Sequence, residues 1–407
     1  MKITSAHGVR KFAVMAVATI GAAFSMLGNE AQATPAFARA TGAACNKCHT
    51  TAFPGLTYRG ERFMRNGFQV RGEEGVSFEA PGEKKEEGFG EGKKLTSDLF
   101  LNNLSNLFST YGVIDAVSKT TDSKTINVGV PETLAILATG TIYKDVPVFM
   151  ELEYSPTEGA VEADHFFVGY TNIGGTTFAN TRVGSIDPTT WTSFPSFNAT
   201  GFVSAIPKIG AYAGADTGEE GFAEVGTGYS PRSSLEYYGY NDNFLFSAAV
   251  ANSPEPVEDK HNLDYWLVGR FDFMKGSSAS ILYYRSNSGV ETNVWTFAGN
   301  LRLKFMELLA QYSHDTGTHD RDSVNGYTLQ ANIPARKNVL GVVRFDSTDN
   351  GAKDNSQESA LSFGVVYAPV QNFKITSAIV TELQQAQNEA GDLHRSSRFN
   401  VNFQYAL

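Results

Sequence analysis

Cys45-Asn46-Lys47-Cys48-His49 contains the only two cysteines of a 407-residue chain, three positions apart and followed at once by a histidine. This C-x-x-C-H order attaches haem c: the two thiols form thioethers with the porphyrin and the imidazole ligates its iron. Other uses of the pair ask for more than the chain supplies. A structural zinc site needs four ligands, usually a second cysteine pair or spaced histidines. A thioredoxin-like redox pair needs a βαβ context, and a cystine between such near neighbours closes only a tiny loop. Met64 is the one methionine, histidine or further cysteine between His49 and residue 97. Its thioether is a candidate distal ligand, which raises the potential relative to a second histidine. Equally, it packs on the haem face as a soft apolar side chain, and both readings stand.

The elements that must position these residues are small. Residues 34–75 form the expected haem-bearing domain, too short to fold alone without help from a cofactor or a neighbouring domain. Pro54 is read as starting a helix whose face carries Phe53, Leu56, Gly60, Phe63 and Met64, with Gly67 at its C-terminal cap. Gly60, lacking a Cβ, is expected to let that helix approach the porphyrin closely. Residues 76–96, with Glu83, Glu86, Glu87 and Glu91, read as a solvated charged linker.

Residues 1–33 read as an export signal. Lys2, Arg10 and Lys11 precede an apolar run from Phe12 to Leu27, and Ala31-Gln32-Ala33 fits an A-x-A cleavage site. The run is about sixteen residues, short of the roughly twenty a spanning helix needs. The whole chain has a formal net charge of −10, and loss of this basic segment makes the remainder more acidic still. Such a charge argues against nucleic acid as a partner.

The chain carries 29 Phe, 17 Tyr and 39 Gly, a combination that favours strands and turns over helices, and from Ser97 to the end its apolar residues alternate. The alternation has period two. Phe399, Val401, Phe403 and Tyr405 share one face and Asn400, Asn402 and Gln404 the other. Leu263, Tyr265, Leu267, Phe271 and Phe273 stand against Asp264, Arg270 and Asp272. About sixteen strands follow, the first at 97–112 and the tenth at 294–304, within the range of outer-membrane barrels. The links after even strands are tight (Lys144-Asp145, Asn241-Asp242, Lys275-Gly276, Pro334-Ala335). Those after odd strands are mostly long and polar, including the stretch around Asp122 and Asp187 to Pro231. Short periplasmic turns and long external loops are the outer-membrane pattern, which distinguishes a barrel from a soluble sandwich. The expected fold is therefore mainly β: a transmembrane antiparallel barrel over 97–407 behind a small α-helical cytochrome c domain.

Further candidate residues lie on this barrel. The segment holding Trp191, Phe194, Phe197 and Phe202 is too apolar to lie bare in water and is expected to fold into the lumen or cap the outer mouth. His165, on the lumen side of the fourth strand, is a further candidate for the haem iron. His314, Asp315, His319, Asp320 and Asp322 form a dense set of metal-ligand types on an expected external loop, suited to transient Fe(II) or simply to a solvated loop. Glu151, Glu153, Arg270, Asp272, Arg302 and Lys304 are expected to face the lumen.

The N-terminal residues carry a resemblance. Pro35-Ala36-Phe37-Ala38-Arg39-Ala40-Thr41-Gly42, Cys45 to His49, Phe53-Pro54-Gly55-Leu56, Gly60, Phe63 and Gly67-Phe68 resemble the pattern of the fused monohaem cytochrome c and porin family, best known for outer-membrane iron-oxidising cytochromes. At motif level the resemblance covers residues 35–68; the rest matches in architecture. It implies one covalent haem c on Cys45 and Cys48, His49 as proximal ligand, and a bacterial outer-membrane location with the haem domain toward the periplasm or within the lumen. It also implies extracellular Fe(II) as electron donor, a periplasmic cytochrome c or similar carrier as acceptor, and outer-membrane lipid around the barrel. The alternative is a haem-bearing porin serving another donor, acceptor or sensing role.

Overall fold

In the computed structural model, the described residues are 36–37, 45–50, 55–69, 107–120, 126–143, 145–155, 160–195, 231–253, 263–287, 292–316, 324–336, 338–349, 357–370, 373–384 and 397–406. They form two helices, α1 (Cys45–Cys48) and α2 (Tyr58–Arg65), and sixteen strands. The strands are β1 (Phe108–Thr120), β2 (Ile126–Tyr143), β3 (Val146–Ser155), β4 (Ala160–Tyr170), β5 (Asn180–Ile186), β6 (Arg232–Tyr240), β7 (Phe244–Asn252) and β8 (Leu263–Met274). They continue as β9 (Ser277–Ser286), β10 (Thr292–Arg302), β11 (Glu307–Asp315), β12 (Val324–Arg336), β13 (Val339–Asp349), β14 (Gln357–Val370), β15 (Phe373–Gln384) and β16 (Ser397–Ala406). Each pairs antiparallel with its sequence neighbours, and β16 returns to β1, closing the barrel. Closure leaves no unpaired edge, which hydrocarbon would not tolerate. Among the described residues no helix is long and apolar enough to cross a membrane.

The period-two pattern maps onto the two faces of the wall. On β8, Leu263, Tyr265, Leu267, Phe271 and Phe273 are exposed on the outside, while Asp264, Trp266, Arg270 and Asp272 are buried inside. Phe244, Phe297, Phe363 and Phe399 extend the exposed apolar band. So large an exposed apolar surface is a lipid-facing one. Inside, Arg182 pairs with Glu236, Arg344 with Asp346 at 2.7 Å, and Thr328 donates to Asp346. The Arg182–Glu236 and Thr328–Asp346 contacts join neighbouring strands and the Arg344–Asp346 pair lies along one, so these buried charges face partners of opposite sign or a hydroxyl donor.

Several expectations shift. The first strand runs over 108–120 rather than 97–112, because its position is set by its ladder to the last strand, from Tyr111↔Ala406 to Thr120↔Arg398. Asp115 and Ser118 thereby enter the sheet, and the link to β2 shrinks to 121–125 instead of a long loop around Asp122. The register jumps between Val113↔Thr133 and Asp115↔Gly129, so Pro131, which has no N–H for a ladder, falls in the irregular stretch. Pro334-Ala335 lies within β12 beside a bulge, and β12 runs on to Arg336 with β13 starting at Val339. Lys304 is not a lumen residue: β10 ends at Arg302 and Lys304 is exposed in the turn before β11. The domain boundaries expected at 33, 75 and 96 lie outside the described residues.

Candidate functional site

Cys45 and Cys48 stand one turn apart on α1, so both side chains leave the same side of the helix. The His49 N–H continues the turn by donating to the Cys45 carbonyl at 2.8 Å. Beyond His49 the chain folds back, with a bridge between His49 and Leu56 and with Thr57 N–H donating to the Cys48 carbonyl at 2.8 Å. Burial, with the Cys45 thiol beside it, pushes the Cys48 pKa up to about 11, Arg59 opposing. Burial raises Cys45 as well. Both shifts favour the thiol over the thiolate, the less readily oxidised form.

Helix α2 begins at Tyr58, four residues later than the Pro54 start expected from sequence, because Thr57 is the capping residue. Its Oγ1 accepts from Gly60 N–H at 3.3 Å and donates to the Lys47 carbonyl at 2.7 Å, so one side chain caps α2 and ties it to α1. The helix ends as expected at Gly67: Gly67 N–H donates to the Met64 carbonyl and Phe68 N–H to the Phe63 carbonyl, with Gly67 at φ 66°. Phe68 follows at φ 60°, a left-handed conformation that a phenylalanine adopts at a cost of order 1 kcal/mol. Its ring accounts for that, meeting Phe37 at 4.8 Å and Phe63 at 5.9 Å, then Phe167 and Phe149 of the wall at 6.1 and 6.4 Å.

Gly60 serves a contact different from the expected one. A Cβ there would lie 2.1 Å from the Cys48 carbonyl oxygen and 3.0 Å from Leu56 Cδ2. The glycine thus lets α2 sit directly on the backbone of the cysteine helix. Gly60→Ala is expected to cost about 1–3 kcal/mol through overpacking against rigid backbone. The check is the thermal stability of the N-terminal segment together with alkylation of the two thiols in cofactor-free protein. Faster alkylation is the expected result, and unchanged stability and labelling would refute this packing role.

The helices are fastened to the inner wall at the end where the short links lie. Arg65 Nη1 donates to Asp272 at 2.6 Å, Arg270 donates to both Asp272 (2.8 Å) and Glu61 (2.5 Å), and Arg62 pairs with Asp242 of the β6–β7 turn at 2.8 Å. Glu61, Arg65, Arg270 and Asp272 are all buried, so two cations and two anions neutralise one another away from solvent. Backbone carbonyls are also held: Tyr238 Oη donates to Arg65 O, Thr141 Oγ1 to Gly67 O and Arg302 Nη2 to Leu56 O. Tyr240 Oη donates to Asn66 Oδ1.

From above, the chain after β5 folds inward rather than away. Asp187 caps a turn by accepting from Thr189, Trp191 donates to Glu236, and Ser193 N–H donates to Ser280 Oγ. Trp191 and Phe194 are fully buried. This is the lumen placement expected for that segment, while Phe197 and Phe202 lie outside the described residues. Arg270 Nη1 also donates to the Thr192 carbonyl, so one guanidinium touches the wall, the inward segment and α2.

Among the residues singled out from sequence, Cys45, Cys48 and His49 come together on one turn. Met64 packs against the buried cluster that includes Trp191, Tyr238 and Tyr240. His165 faces the lumen beside Glu151, Nδ1 to Oε2 3.7 Å, with Phe149 edge-on to its ring at 6.3 Å. His314 and Asp315 do not form a shared metal site. They are consecutive on β11, so they leave opposite faces; His314 Nδ1 contacts Asn325 Oδ1 at 2.8 Å, while Asp315 is buried. His319, Asp320 and Asp322 lie outside the described residues, and among the described residues no three metal-ligand side chains converge. Glu61, Arg62 and Arg65 were missed. Their signal is a dense set of charges on an eight-residue helix, Arg59, Glu61, Arg62 and Arg65, complementary to the expected lumen charges Arg270 and Asp272.

No family model and no curated protein matches the chain. Solved structures do. The anion-selective porin from Comamonas acidovorans aligns over 74% of this chain and 99% of its own, with a TM-score of 0.54 and 14% identity. OmpF of Salmonella typhi, in a complex with daunomycin, covers 74% of this chain and 97% of its own at TM-score 0.52 and 11% identity. A loop-deletion mutant of OmpT, an outer membrane protein of Vibrio cholerae, covers 74% and 98% at TM-score 0.50 and 12% identity. At such identities the likeness is one of fold: this chain is a closed sixteen-stranded barrel of the porin type.

Proposed function

We propose that the chain is an outer-membrane electron-transfer protein, a monohaem cytochrome c segment seated in a porin-type barrel, which takes electrons from extracellular Fe(II) and hands them to a periplasmic carrier. The observation that carries this reading is the C-x-x-C-H turn on a segment fastened inside the wall of a lipid-facing barrel. The donor set fits haem c: two thiols one helical turn apart, with an imidazole on the next residue. When bound, the haem supplies a one-electron iron couple. Cys45 and Cys48 tether it through thioether bonds and His49 gives it a nitrogen ligand. The Met64 sulfur is the candidate second ligand, alongside its packing role. Thr57 and Gly60 hold α1 and α2 together, and the Glu61–Arg270–Asp272–Arg65 quartet fixes both against the wall.

The charge of the links supports the direction. Short links sit on the periplasmic rim of barrels of this kind, the rim where α2 is fastened. By sequence, the links on the other side are acidic, with Asp216, Glu219, Glu220, Glu255 and Glu258 among them. Links of that charge concentrate dications such as Fe(II) by long-range attraction. Each Fe(II) gives up one electron, and the Fe(III) produced precipitates outside.

Anaerobic stopped-flow mixing of the purified holoprotein with Fe(II) tests the reading. The expected result is appearance of the reduced c-type spectrum at a rate that falls with rising ionic strength. A haem that dithionite reduces and Fe(II) does not would replace the Fe(II) donor with another one. A mature chain carrying no porphyrin adduct would end the cytochrome reading altogether.

A further inference from the structure

We propose that the short-link rim and the adjoining cysteine helix form a basic landing surface for an acidic soluble electron-carrier protein. The proposal rests on the reading above for its purpose, and on exposed charge and contact for its location. The mature chain is acidic, yet the short links contribute Lys144, Lys275, Lys304 and Lys337 against only Asp145 and Asp242. Asp242 is engaged by Arg62, and Asp145 accepts from Asn172 Nδ2 at 3.2 Å. Lys275, Lys304 and Arg336 are exposed at the ends of three successive hairpins, β8–β9, β10–β11 and β12–β13. Lys47, between the two cysteines, is exposed as well.

A chain of contacts joins these cations into one patch. The Lys47 carbonyl accepts from Thr57, and the neighbouring Leu56 carbonyl accepts from Arg302 at the foot of β10. Gly276, next to Lys275, lies so close to Arg302 that a Cβ there would meet Nη1 at 2.8 Å. Glu307 holds Arg302 on one side and Asn332 of β12 on the other, which brings the β12–β13 end into the same neighbourhood. The basic surface therefore runs from the rim inward to the residue between Cys45 and Cys48. Phosphates of the inner leaflet would also attract Lys275 and Lys304, which stand beside exposed Met274 and Phe305. Headgroups around the barrel do not reach Lys47, and a soluble protein covering the mouth does. An acidic partner placed there brings its own redox centre next to the turn that carries Cys45, Cys48 and His49, with attraction raising the encounter rate.

The test uses full-length holoprotein in an uncharged detergent and two probes of one fold: a soluble cytochrome c with succinylated lysines, hence acidic, and the same cytochrome unmodified. Binding is read by anisotropy of the labelled probe, with no need for Fe(II). The wild type is expected to prefer the acidic probe at low salt and to lose that preference at high salt. Lys275→Glu/Lys304→Glu/Arg336→Glu is expected to weaken the acidic probe about tenfold or more. Lys47→Glu alone should weaken it about threefold, since it removes the charge nearest the mouth. Equal binding of both probes, or an unaltered affinity in either variant, overturns the landing surface. Unaltered affinity together with less co-purifying anionic phospholipid in the triple variant assigns the rim to lipid instead. A protein that keeps the charge-dependent binding but is not reduced by Fe(II) loses the donor and keeps the surface.

Discussion

Replacing both Cys45 and Cys48 with serine is expected to remove all covalently held porphyrin while leaving the barrel folded. The two thiols are the chain's only cysteines, so no other side chain can form the thioethers. The barrel is independent of them, because its strands close on one another from β1 to β16 without a contribution from α1. Cys48→Ser alone leaves at most one thioether and a shifted pyridine haemochrome spectrum. On the proposed reading, His49→Ala should keep the tether but lose the imidazole ligand and with it the normal c-type spectrum. Met64→Leu keeps an apolar side chain against the inner cluster and removes the sulfur, so a spectral change in that variant marks ligation and an unchanged spectrum marks packing. Intact mass, haemochrome spectra and heat-modifiable gel migration read these outcomes. Normal c-type spectra in Cys48→Ser and His49→Ala together would defeat the assignment.

Arg270→Met should release the N-terminal helices from the wall, at a cost of about 3–5 kcal/mol, the usual penalty for breaking a buried ion pair by removing one partner. Glu61 would keep only Arg65, at 3.8 Å, and the Thr192 carbonyl would lose its donor. A buried ion network adds little over apolar packing and is costly only when half-dismantled. Glu61→Gln/Arg270→Met should therefore recover part of the loss, a coupling that a double-mutant cycle measures directly. Limited trypsin cleavage between residues 34 and 106, with Arg62 and Arg65 as target sites, reports release while the barrel core resists. Equal cleavage of wild type and Arg270→Met would show that the quartet does not hold the helices.

Most of the barrel was legible because lipid imposes a strict rule. Any residue facing hydrocarbon is apolar and its neighbours turn inward, so on β8 Leu263, Tyr265, Leu267, Phe271 and Phe273 lie outside and Asp264, Arg270 and Asp272 inside, as the alternation reads. The rule weakens where lipid does not reach. Leu99 and Leu101 read as the start of a strand, but β1 is placed by its partner at the far end of the chain, which no local pattern reveals. The late start of α2 was readable in principle from Thr57, a better cap than the residues around Pro54. So was the failure of His314 and Asp315 to share a ligand, since adjacent strand residues face apart. The ion quartet could not be paired from sequence, because nothing local says which inward charge meets which helical one.

The partners of α2 lie far along the chain: Arg62 and Asp242 are 180 residues apart, Arg65 and Asp272 207, Glu61 and Arg270 209, and Leu56 and Arg302 246. A polypeptide made from its N-terminus thus produces the tenant long before the house. Contacts across such spans form late, after the intervening loops have closed. The cysteine turn is therefore enclosed only once β10 is in place, and if the proposed haem is attached, its attachment and that enclosure are expected to be two successive events.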